Sequence, residues 1–149
     1  MATTAQARTP VHLWIVGGLA LLWNCFGAYD YIMTRTHNIA YIAQAMPGTD
    51  ANAALAWIEA MPMYAQVGWG LGVWGGLLGA VLLLTRSHYA LWAFAISMVG
   101  IVLSMGYQLL LAPPLAGASN GKYIQYMVIL VGAGLLAYSQ AMVKRAVLR

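Results

Sequence analysis

The stretch "LLWNCFGAYDYIMT", residues 21–34, sets an amide, Asn24, and a carboxylate, Asp30, inside an otherwise apolar run. In hydrocarbon an unpaired amide costs several kcal/mol, and a charged side chain at a helix centre costs about 2.5–3.5 kcal/mol on insertion scales. Such groups need partners or water. On a helical wheel Ala20, Trp23, Asn24, Gly27, Asp30, Tyr31 and Thr34 share roughly a third of the circumference, and this face is predicted to look into a bundle rather than at lipid. Two chemistries fit. In one, an outward-opening polar cavity binds a solute through Asn24, Asp30, Trp23, Tyr31, Gln66, Trp69, Gln108 and Gln125, with Trp23 and Trp69 as flat apolar walls for a ring-shaped polar solute. In the other these groups only hold helices together: Asp30 pairs with Lys122 or Arg35, and Asn24 bonds Gln108 or Ser104.

Catalysis finds little support. Paired carboxylates, metal-spaced histidines and an activated nucleophile cannot be assembled around Asp30 and the single cysteine, Cys25. His12 and His88 fall at one membrane interface and His37 at the other, so no pair faces across mid-membrane as a haem would require. One cysteine also excludes an internal disulfide and any CxxC framework. The expectation is a non-enzyme with no metal and no cofactor.

These residues must be positioned by membrane helices. Of the 149 residues 62% are hydrophobic and 7% charged, far from the quarter or so of charged residues found in soluble proteins. The apolar residues fall in four blocks, 11–34, 63–84, 89–112 and 122–143, each close to the ~20 residues that cross a ~30 Å hydrocarbon layer. Runs such as "GLLGAVLLL" lack the alternation of a transmembrane strand. The fold class expected is therefore an all-α integral membrane four-helix bundle, with residues 1–149 as a single transmembrane domain. The first block reads as a retained anchor, because Phe26 suits no small-x-small cleavage site.

With four crossings both termini share a side. That side holds Arg8, Arg86, Lys144, Arg145 and Arg149 without an acidic residue, whereas the other holds Arg35 and Lys122 against Asp30, Asp50 and Glu59. The positive-inside rule makes the termini cytoplasmic. Counting upward from His12, Asn24 lies ~18 Å and Asp30 ~27 Å into the bilayer, so the polar residues gather in the outer half. The net charge of +4 is too scattered for a nucleic-acid stripe. Trp14, Tyr89, Trp92 and Tyr138 on one side, with Tyr29, Tyr64, Tyr107 and Tyr123 on the other, match interfacial aromatic belts.

Beyond the first span, "RTHNIAYIAQAM" contains no breaker before Pro47-Gly48, which predicts a first helix protruding past the membrane. Asp50 can cap a short amphipathic outer-surface helix at about 50–61, which Pro62 ends. Gly68, Gly72, Gly75, Gly76 and Gly79 form one stripe on the second span. Ala93, Ser97, Gly100 and Ser104, with Tyr107, share one face of the third, and Gly134, Ala137 and Ala141 one face of the fourth. Such stripes admit close backbone approach, either within the bundle or to another subunit.

Taken together, "LLWNCFGAYDYIMTRT" and "WGLGVWGGLLGAVLLLTRSHYALWAFAISMVG" resemble a group of small four-helix bacterial membrane proteins often labelled sugar transporter or hypothetical protein. The shared patterns are LLWN-x-x-G-x-x-DY-x-x-T, through Trp23, Asn24, Gly27, Asp30, Tyr31 and Thr34, and VWGG-x-x-G-x-x-LLL-x-R, through Trp74, Gly75, Gly76, Gly79 and Arg86. The resemblance covers roughly residues 14–105 and implies a multi-pass bacterial inner-membrane protein. Where that group often carries two or three basic residues after its second helix, this chain has "TRSHY". The function expected is a transporter or binder of a small polar, sugar-like solute. The alternative is an accessory subunit that docks its glycine faces on a larger membrane complex. The partners expected are the lipid bilayer and a second copy or such a complex, and no nucleic acid.

Overall fold

A computed structural model describes residues 9–117 and 121–149 of the chain. Among them are six helices and no strand: α1 Val11–Arg35, α2 Ile39–Ala45, α3 Ala51–Glu59, α4 Met63–Leu84, α5 Tyr89–Leu110 and α6 Gly121–Lys144. The protein is all-α. Helices α1, α4, α5 and α6 are long and apolar enough to cross a membrane, which makes the chain a multi-pass membrane protein. They begin and end within two residues of the apolar blocks read from the sequence, because a continuous apolar run has no alternative to the helix in lipid.

Across the bundle the helices lie in the order α1–α4–α5–α6, with the most extensive contact between α4 and α5. Glycine makes that seam. A Cβ on Gly100 of α5 would stand 2.5 Å from the Gly68 carbonyl oxygen and from the Gly72 nitrogen of α4. One on Gly75 would stand 3.1 Å from the Ser97 nitrogen. Two backbones that close gain dispersion contacts and can exchange polar bonds, which in lipid replaces the missing hydrophobic force. One such bond runs from Ser97 Oγ to the Gly72 carbonyl, at 2.6 Å. The stripe on α4 is thus spent inside the chain: Gly68, Gly72 and Gly75 on α5, Gly79 on the Phe94 ring, and Gly76 on Asn24 and Ser97. It is not free to receive a second copy. Gly134 departs from expectation in the opposite direction, with no atom within 4 Å of where its Cβ would be. Helix α6 turns Leu135, Ser139 and Met142 inward instead, and its close glycine is Gly132, where a Cβ would stand 2.8 Å from Ile101 Cδ1.

At the end of the bundle that carries the termini, Leu13, Ala80, Leu83, Phe94 and Met142 form a closed apolar core. The His12 Nδ1 and Tyr138 hydroxyl bridge α1 to α6 there at 2.6 Å. The last residues complete this end. Val147 and Leu148 are buried, the Arg149 amide donates to the Arg86 carbonyl at 2.8 Å, and the His88 amide donates to the Arg149 carbonyl at 2.9 Å. The C-terminal segment is therefore paired with the α4–α5 turn and does more than supply positive charge.

The opposite end contains the main correction to the sequence reading. Helix α1 does not protrude; it stops at Arg35 in a left-handed cap. His37 adopts φ 57, its amide donates to the Thr34 carbonyl at 3.0 Å, and the Asn38 amide donates to the Met33 carbonyl at 3.0 Å. This double bond pattern terminates a helix even without glycine. The Thr36 hydroxyl adds a bond to the Ile32 carbonyl at 2.9 Å. Asn38 then starts α2, its Oδ1 accepting from the Tyr41 amide at 3.0 Å. Helices α2 and α3 pack through Ile42, Ala51 and Ala54. Asp50 caps α3 by accepting from the Ala53 amide at 2.8 Å. The Trp57 indole donates to the Pro113 carbonyl at 2.8 Å, which ties α3 to the segment after α5.

Candidate functional site

Between α1 and α6, in the half of the bundle away from the termini, lies a cavity of about 460 Å³. Volumes of ~300–1,000 Å³ are usual for small-molecule sites. Helices α4 and α5 form its back wall, α1 and α6 its flanks, and α2 reaches over it with Tyr41 and Gln44. The apolar core near the termini closes its floor. Gly27 leaves open space on the α1 flank, having nothing within 4 Å of where a Cβ would be.

The polar groups gather on the α1 side. Asn24 donates through Nδ2 to the Ala20 carbonyl one turn back, at 2.8 Å, and its Oδ1 rests against Gly76. Only a residue without a side chain at position 76 leaves that place for the amide. Asp30 accepts at Oδ1 from the Tyr41 hydroxyl, 2.8 Å away. Tyr41 lies edge-on to Tyr29, with ring centroids 5.5 Å apart. Burial first, then the bond to Asp30 and its charge, push the Tyr41 phenol well above its ordinary ionisation. The phenol therefore stays a donor, and the α2 lid is pinned to α1 by one bond to a carboxylate. The partners expected for Asp30 and Asn24 are not the ones they have. Arg35, the last residue of α1, donates instead to Gln66 Oε1 at 3.0 Å, near the start of α4.

Of the residues proposed from sequence, Trp23, Asn24, Asp30 and Trp69 line the cavity. Tyr31 stands behind that wall, edge-on to Trp69 at 4.8 Å and to Trp74 at 6.1 Å, and so sets the Trp69 ring. Gln66 joins helix ends: besides Arg35 it donates to the Met61 and Glu59 carbonyls at 2.8 and 3.2 Å. Gln125 donates to Gln108 Oε1 at 2.8 Å, and Gln108 donates to Ser104 Oγ at 3.2 Å. Those two glutamines tie α6 to α5, and of this chain only Ser104 lines the cavity. Tyr41 and Gln44 were missed. The signal for them was Asn38, a capping residue three positions before Tyr41, which announces a new helix folding back toward α1.

Among the described residues no group of three or more His, Cys, Asp or Glu is arranged to hold a metal ion. Comparison with protein-family models, with curated proteins and with solved structures finds no match.

Proposed function

We propose that the protein binds a small organic solute in this cavity and serves as a transporter or binder of that solute in a bacterial inner membrane. The observation that carries the reading is the asymmetry of the bundle, sealed by packed side chains at one end and hollow at the other. In this reading the sealed end, with Arg86, Lys144, Arg145 and Arg149, faces the cytoplasm, and the cavity opens outward beneath α2. Asn24 and Asp30 meet the solute, Trp23 and Trp69 flank it, and Tyr41 holds the lid. A cavity closed on one side is half of an alternating-access cycle. The accessory-subunit alternative loses its main argument, because the α4 glycine stripe is used against α5. Association with a second copy or a larger complex would use the exposed apolar sides of α1, α4, α5 and α6.

The test is a thermal-shift screen of small polar and amphipathic solutes on the protein in lipid nanodiscs, beside Gly27→Leu. That variant puts a side chain into open space and should fold. Hits that stabilise the wild type should lose their effect in the variant. A screen without such hits, or hits indifferent to Gly27→Leu, would overturn the proposal.

A further inference from the structure

The cavity holds a carboxylate without a cation. Among the described residues no lysine, arginine or histidine nitrogen lies within 4.0 Å of Asp30, whose one hydrogen bond comes from a neutral phenol. Among the described residues its Oδ2 accepts no bond, while Asn24 Oδ1 is turned against Gly76. On the far wall Ser97 donates to the Gly72 carbonyl, while Ser104 accepts from Gln108. On the α1 side Asp30 Oδ2 thus offers an acceptor to a donor. Trp23, Trp69 and Tyr41 line the cavity too, aromatic rings of the kind that favours a cation, while Ile101, Val128 and Leu135 give the rest an apolar lining. A sugar presents hydroxyls around its whole rim and would leave most of them unpaired against those walls, at a cost for each.

We propose that the cavity takes an amphipathic organic cation, a protonated amine on an apolar body of about ring size, with the ammonium at Asp30 Oδ2 and the body toward α6. This rests on the cavity being a solute site and names the class of solute. A charge-assisted bond to a half-buried carboxylate is among the stronger polar contacts available, so the charge should decide affinity.

The test uses three probes of one shape, phenylpropylamine, phenylpropanol and phenylpropionate, titrated onto the protein in nanodiscs of zwitterionic lipid. Calorimetry on empty nanodiscs subtracts membrane partitioning. The amine should bind about tenfold or more tighter than the alcohol, and the carboxylate should bind weakest. Asp30→Asn should bring amine and alcohol to within about threefold, and Asp30→Glu should keep the preference. Gly27→Leu should weaken all three. Should Asp30→Asn fail to accumulate, the ranking of the three probes on the wild type decides. Equal binding of amine and alcohol, abolished by Gly27→Leu, would overturn the cation proposal and leave the solute site standing. Binding of a sugar but of none of the probes would overturn it too. Binding of neither probes nor sugars would remove both.

Discussion

At the end that carries the termini, Leu13, Leu83, Phe94 and Met142 fill the space between α1 and α6. Toward the other end the same two helices face each other across a cavity flanked by Gly27, Asn24 and Val128. Both halves share the α4–α5 seam; in the closed half Leu83 and Phe94 of that seam meet Leu13 of α1 and Met142 of α6. Large side chains close one half. In the other, Asn24, Gly27 and Asp30 leave room between the larger Trp23 and Phe26, and α2 reaches over the cavity while pairing with Asp30. A membrane bundle can therefore hold a cavity without weakening its spans, provided one half and a common seam carry the packing.

The seam should be the most sensitive part. Gly100→Val puts carbon atoms against the backbone of α4, where no side chain can give way, and should cost about 3 kcal/mol or more. Little folded protein should be recovered in detergent, and normal recovery would mean that the two backbones are not so close. Next comes a direct comparison of the halves. Leu83→Ala, in the closed core, should lower unfolding free energy by about 2–4 kcal/mol, whereas Val128→Ala, beside the cavity, should cost less than about 1 kcal/mol. Equal losses in a denaturation series would erase the distinction. The smallest effect has the opposite sign: Gly27→Ala relieves an exposed helix of glycine at a place with room for a methyl and should stabilise by about 0.5–1 kcal/mol. Destabilisation there would mean that the α1 flank is packed.

Much of this could be read in advance from particular residues. The face of α1 that turns inward is the one bearing Asn24 and Asp30, because lipid excludes both and leaves them one direction. Gly68, Gly72 and Gly75 announced a close neighbour by the same economy. What they could not name was the neighbour: a stripe of small residues fits any smooth surface, and the choice of α5 over a second copy follows from the short α4–α5 turn. Gln66, Gln108 and Gln125 were equally ambiguous, since an amide at the right depth suits a helix joint as well as a ligand. The lid escaped notice because His37 and Asn38 break the helix with neither glycine nor proline, using hydrogen bonds that no composition rule sees.

The sequence alone determined four spans, the inward face of the first and the uneven distribution of charge. Each follows from the cost of placing single residues in hydrocarbon, which is a local quantity. Only the tertiary structure decided that Asp30 meets Tyr41, that the last residues pair with the Arg86 turn and that a cavity lies beside Asn24. Those outcomes depend on distances between helices, set by every contact along the seam together.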